Sequence, residues 1–143
     1  MNAIDVANGF INLTEPEKGD LISNLKVQKL LYYAQGFHIA MYGKVFFEED
    51  IQAWQYGPVV PEVYHEFKAC GSGPIPLKED FSFENFSEEQ LELLSEINTV
   101  YGQFSALKLM DMTHNEAPWS SVPLNSVIPK ESMGAYFSNF LNG

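Results

Sequence analysis

The stretch SNLKVQKLLYYAQGFHIAMYG, Ser23 to Gly43, decides the fold. Val27, Leu30, Leu31, Ala34, Phe37 and Met41 recur in it at spacings of three and four, the period of one helical face. Ser23 or Asn24 can cap the open amides of the first turn with a side-chain oxygen, and Gly43 offers a left-handed stop. This is the most strongly specified helix in the chain.

Upstream, Ile4, Ala7, Phe10 and Ile11 share a helical face that ends in the polar stretch Pro16 to Asp20. Downstream, Val45–Phe47 and Ile51–Tyr56 flank the acidic run Glu48-Glu49-Asp50, and their lengths suit a short β-hairpin. If the second run is extended, Trp54 and Tyr56 share a face. Gly57-Pro58 reads as a break. Pro61 suits the first turn of a helix carrying Val63, Tyr64 and Phe67, because a missing amide costs nothing there. Cys70 to Pro76 reads as a loop.

Ser87 and Gln90 make a capping box ahead of Leu91, Leu94, Ile97 and Tyr101. Gly102 marks a break before a shorter helix from Ser105 to about Thr113. Pro118, Pro123 and Pro129 point to a surface loop, with Pro129 opening a last helix toward Tyr136, Phe137 and Phe140. The chain shows no repeat and no linker. The expectation is a mainly α fold: one compact domain over residues 1–143, with five to six helices and a small β-hairpin or short sheet.

A chain of 143 residues buries roughly two-thirds of its unfolded surface, and 45% apolar with 14% aromatic residues is ample for one core. The opening Met-Asn-Ala-Ile-Asp lacks the basic start and apolar run of a secretory signal, and no stretch is apolar enough to span a membrane. Cys70 is the only cysteine, which excludes an intrachain disulfide and fits a reducing compartment. The expected location is the cytoplasm.

All eight basic residues are lysines, and the formal charge is -11. Guanidinium forks are the usual grip on phosphate and guanine edges, so direct nucleic-acid binding is not expected. The acid excess is localised. Residues 45–107 hold twelve acidic side chains against Lys68 and Lys78, whereas residues 1–44 balance. Such a region either keeps the protein soluble or steers a basic partner toward it.

Catalytic templates fail on inspection. Ser72 lacks the flanking glycines of a nucleophile elbow, Gly71-Ser-Gly73 runs into Pro74, and no Gly-Lys-Ser/Thr occurs. The histidines form no HExxH pattern, and one cysteine cannot build a zinc knuckle. His65 lies between Glu62 and Glu66, and His114 lies near Glu116 and Trp119, so acid–base roles are conceivable for both. Solvation of a helix histidine and bracing of a loop explain the same residues. Neither catalytic residues, nor metal, nor cofactor are expected, and the chain does not read as an enzyme. The aromatic clusters differ: Tyr32, Tyr33, Phe37 and Tyr42 on one helix, and Trp54, Tyr56 and Tyr64 nearby. They suit a core, and also anchors at a half-wet interface, since Tyr and Trp join a large apolar body to a polar atom. Gly57, Pro58 and Pro61 would limit motion of the turn and lower the entropy lost on docking.

Three ordered blocks, KVQKLLYYAQGFHIAMYGK (Lys26–Lys44), IQAWQYGPVVPEVYHEFK (Ile51–Lys68) and THNEAPW (Thr113–Trp119), closely resemble the Panacea domain family. Its members include SocA-like antitoxins and phage-associated GepA-type proteins. The resemblance implies a mainly helical domain that acts as the antitoxin of a toxin–antitoxin pair, neutralising a cognate toxin by direct protein binding. One branch of the family instead presents the toxin to an ATP-dependent protease, which makes an adaptor role the alternative. A small hydrolase using His65 or His114 is the remaining one. On these blocks the expected partner-binding residues are Tyr32, Tyr33, Gln35, His38, Trp54, Tyr56, Gly57, Pro58, Tyr64, Thr113, His114 and Trp119, as a mixture of interface and scaffold.

Overall fold

Ser23 caps the long helix as its position suggests, its hydroxyl accepting from the Lys26 N–H at 3.2 Å, and Gly43 closes it at φ 69°. The computed structural model describes residues 1–141. Among them are seven α-helices: α1 (Ala3–Asn12), α2 (Asn24–Tyr42), α3 (Pro61–Phe67), α4 (Glu88–Val100), α5 (Ala106–His114), α6 (Ala117–Ser120) and α7 (Lys130–Ser138). Two short antiparallel strands, β1 (Gln52–Trp54) and β2 (Gly57–Val59), complete a mainly helical fold. The expected helices are all present. The addition is α6, one turn with Pro118 near its start, where a surface loop is expected.

Helix α2 is the axis of the molecule, with α1, α4, α5, α7 and the hairpin packed on it. Val27, Leu30, Leu31 and Ala34 are fully buried against Val6 and Phe10 of α1, Leu94 of α4, Leu109 of α5 and Phe137 of α7. Burying one such large side chain contributes about 1.5–3 kcal/mol. The most extensive packing is between α2 and α7. A Cβ added at Gly36 would collide with the Phe137 ring, so the absence of a side chain there is what lets that ring lie on the helix. The face is aromatic: Phe137 meets Tyr32 and Tyr33 edge-on at 5.5 and 5.7 Å, and Tyr33 stacks on Tyr101 at 3.8 Å.

Unlike an ordinary surface helix, α2 is buried on nearly every side, polar positions included: Asn24, Gln28, Lys29, Gln35 and His38 have almost no exposure. Each meets backbone. Gln35 Nε2 donates to the Phe47 carbonyl at 2.7 Å, while its Oε1 accepts from the N–H groups of Phe46 and Phe47. His38 Nδ1 donates to the Lys44 carbonyl at 2.7 Å, and Gln28 Oε1 accepts from Val60 N–H at 2.8 Å. Asn24, itself bonded to Gln28, donates to the Tyr64 carbonyl. The side chains of α2 thus satisfy backbone groups along 44–64 that the short hairpin and α3 leave open.

That arrangement corrects the expected hairpin. Val45–Phe47 is not a strand, because Gln35 already takes the backbone N–H groups of Phe46 and Phe47 and the carbonyl of Phe47. Strand β1 instead pairs with β2 in the register Gln52↔Val59, Ala53↔Pro58, Trp54↔Gly57, leaving Gln55 and Tyr56 as the turn. Trp54 and Tyr56 therefore do not share a strand face. The break falls one step earlier than expected, at Gln55 and Tyr56, and Gly57 and Pro58 open the return strand β2. Pro58 is tolerated because its partner Ala53 directs its N–H and C=O the other way, to Ser126 at 2.9 Å and Asn125 at 2.6 Å. Ladder bonds between Ala53 and Pro58 are not needed, so the missing proline N–H is not missed.

Candidate functional site

The hairpin turn and the end of α5 form one aromatic corner. Trp119 Nε1 donates to the Trp54 carbonyl at 2.9 Å, and His114 Nε2 donates to the Gln55 carbonyl at 3.0 Å. The His114 and Trp119 rings lie 4.2 Å apart, and Trp54 meets Tyr64 of α3 edge-on at 5.1 Å. Trp54, Tyr64, His114 and Trp119 are each half-buried, while Tyr56 at the tip is 58% exposed. Residues from the second and third sequence blocks thus share one surface, whose backbone is tied down by two ring nitrogens.

Beneath that surface lies a cationic side chain. Lys29 is fully buried, and its Nζ donates to the Pro58 carbonyl at 3.3 Å. Burial lowers its pKa to about 7, because the ammonium form is the one that desolvation disfavours. Gly57 lies directly over it: at φ 108°, an added Cβ would come within 2.6 Å of Lys29 Cε and 3.0 Å of Thr113 Oγ1. The turn can sit this close to α2 only because position 57 has no side chain and tolerates positive φ.

A second polar centre ties THNEAPW to α2. The Glu116 carboxylate accepts from Tyr32 and Tyr33 hydroxyls, each at 3.0 Å. Burial raises the Glu116 pKa, and these two bonds partly offset the rise. Burial and then the Glu116 charge push both tyrosine hydroxyls well above their ordinary range, and push Tyr101 up to about 12. Burial likewise lowers the pKa of His38.

The twelve expected residues therefore divide. Trp54, Tyr56, Tyr64, His114 and Trp119 come together at the surface, while the other seven are buried. Gly57, Pro58 and Thr113 lie beside Lys29 under the turn, Tyr32 and Tyr33 on Glu116, and Gln35 and His38 further along α2 on the backbone of residues 44–47. The pairing of His114 with Glu116 does not form, because the imidazole turns to Gln55 and the carboxylate to the two tyrosines. His65 is exposed on α3, its ring 5.5 Å from that of Tyr64. Among the described residues, no group of three or more His, Cys, Asp and Glu side chains is placed to hold a metal ion, and no helix is long and apolar enough to cross a membrane. Sequence reading missed Lys29, Gln28 and Asn24. The i, i+4 spacing of Asn24 and Gln28 is the one signal that could have found the latter two.

The fold and corner define a small helical domain with a braced aromatic turn. Residues 27–120 match the family described as antitoxin SocA-like, Panacea domain, and the chain belongs to that family. A 50-residue segment is 46% identical to the curated protein Antitoxin SocA of Caulobacter vibrioides (strain NA1000 / CB15N). The segment covers 35% of this chain and 27% of that protein. No solved structure matches the chain.

Proposed function

We propose that the protein is an antitoxin that neutralises a cognate protein toxin in the cytoplasm by direct binding, with the aromatic corner as its anchor. One observation carries the reading: Trp54, Tyr56, Tyr64, His114 and Trp119, from separate stretches of chain, converge on a single half-exposed surface. Half-wet Trp and Tyr side chains on a stiff frame are what binding hot spots are made of, and truncating one commonly costs about 2 kcal/mol or more. The frame is stiff because its backbone groups are bonded to α2, α5 and α6, so little entropy is lost on docking. Family membership and the likeness to Antitoxin SocA support the same role. The domain is taken to run over residues 1–143, since α1 and α7 pack directly on α2.

The acidic region 45–107 gives the reading a kinetic signature. Association with a basic toxin slows as salt is added, while dissociation changes less. The deciding experiment is co-expression with the product of the adjacent reading frame. The chain relieves that product's growth arrest, and Trp54→Ala, still folded by circular dichroism, does not. Full protection by a folded Trp54→Ala variant removes the corner as anchor; a neighbour that arrests nothing removes the antitoxin role.

A further inference from the structure

A second surface lies at the other end of α2. Phe37 and Met41 of α2, Ile97 and Val100 of α4, the adjoining Tyr101, and Phe140 after α7 line an open groove of about 320 Å³. Three of these apolar side chains are exposed together: Phe140 at 59%, Met41 at 45% and Val100 at 44%. An open groove with bare apolar side chains beside an acidic residue can seat the apolar face of a partner helix. The corner, by contrast, rests on Asn24, Gln28 and Lys29 in the first half of α2.

The charge around the groove narrows what covers it. Helix α4 carries Glu88, Glu89, Glu92 and Glu96, all exposed, and no basic residue. Glu96 lines the groove itself. Glu89 and Glu92 stand near Tyr42 at the end of α2, where, after burial, their charge raises the pKa of its hydroxyl. A second copy of the chain would bring like charge against like, at a formal -11 each. An apolar strip with an acidic edge fits an amphipathic helix whose apolar face is flanked by lysine or arginine.

We infer that this groove is a second docking surface, and that its occupant is an amphipathic, basic-flanked helix of the toxin. The inference rests on the antitoxin reading for the identity of the partner, and on the groove for its chemistry. The toxin would then be held at two separated places, which raises avidity if both can be engaged at once.

The test uses the full chain and a labelled synthetic helix of about 14 residues, comparable in length to α4, with leucines at helical spacing and lysines elsewhere. Binding is followed by fluorescence anisotropy. The peptide is expected to bind, and a matched leucine–glutamate peptide to bind at least tenfold more weakly. Val100→Ser and Phe140→Asp are each expected to weaken the lysine peptide at least tenfold, although Phe140→Asp adds negative charge and would tighten a merely electrostatic attraction. Tyr56→Ala leaves it unchanged. Equal binding of both peptides, or full binding by Phe140→Asp, overturns the inference. So does a concentration-dependent dimer in sedimentation that Phe140→Asp dissolves, because the occupant is then a second copy. Groove binding is read on peptides and antitoxin action on growth arrest, so each claim can fail without the other.

Discussion

The aromatic corner and the α2–α7 face are built on the same helix by opposite means. At the corner, α2 presents amide, ammonium and carbonyl chemistry to a backbone that has no regular partner of its own. At the α7 face it presents Tyr32, Tyr33, Gly36 and Phe37 to rings, with Phe137 at the centre. A helix satisfies its own backbone, so another helix needs only shape to pack on it. A turn or short strand does not, and whatever holds it must supply hydrogen bonds. The corner's precision is therefore polar, and the stability of the opposite face is apolar.

The contrast breaks most visibly at Phe137. With 1% exposure and contacts to Tyr32, Tyr33 and Phe37, Phe137→Ala is expected to cost about 4 kcal/mol in chemical denaturation. A cost below about 1 kcal/mol would mean that packing does not hold this face. The polar counterpart on α2 is Gln35→Leu, in the segment that leads into the hairpin, similar in size but without hydrogen bonds. It leaves the N–H of Phe46 and Phe47 and the carbonyl of Phe47 without their partner, at an expected cost of about 2 kcal/mol. Amide hydrogen exchange should locate that damage in residues 44–64 and spare α7; protection lost evenly over the chain would show that the two regions are not built separately.

The same divide explains what could be read from the chain alone. Helix ends were accessible because their signals are local: Ser23, Ser105 and the Ser87–Gln90 box each act within one turn. The hairpin was misplaced because distant groups decide it, Gln35 on one side and Asn125–Ile128 on the other. The family resemblance named the corner's residues, but not that Trp119 Nε1 would reach the carbonyl of Trp54, 65 positions away. Lys29 counted only as one of eight lysines, since nothing in its neighbours announces a buried ammonium.

Lys29 provides a finer probe of the corner. Its pKa is about 7 when folded and 10.5 in the reference state. Between those values the unfolded chain binds a proton that the folded chain does not, so this group makes stability rise with pH, by about 1.4 kcal/mol per unit. Below about pH 7 both states are protonated and the contribution is flat. Lys29→Met removes the slope while leaving a side chain of similar length under Gly57. The measurement is the difference in unfolding free energy between wild type and Lys29→Met at pH 7.5 and pH 9. Parallel profiles for the two proteins would mean that the ammonium is not desolvated beneath the turn.

The smallest change in stability should accompany a large change in function. Tyr56 is the most exposed member of the corner, and among the described residues no hydrogen bond or ring contact to its side chain is present. Tyr56→Ala should therefore alter unfolding free energy by no more than about 0.5 kcal/mol, as at other surface positions. Trp54→Ala is less clean, because it also removes the edge contact to Tyr64 and the Nε1 bond to Gln52. If the corner is a docking anchor, folded and stable Tyr56→Ala protein still fails to relieve growth arrest. If it protects as well as wild type, the aromatic tip is surface decoration on a scaffold, and the apolar groove at the far end of α2 becomes the place where recognition must lie.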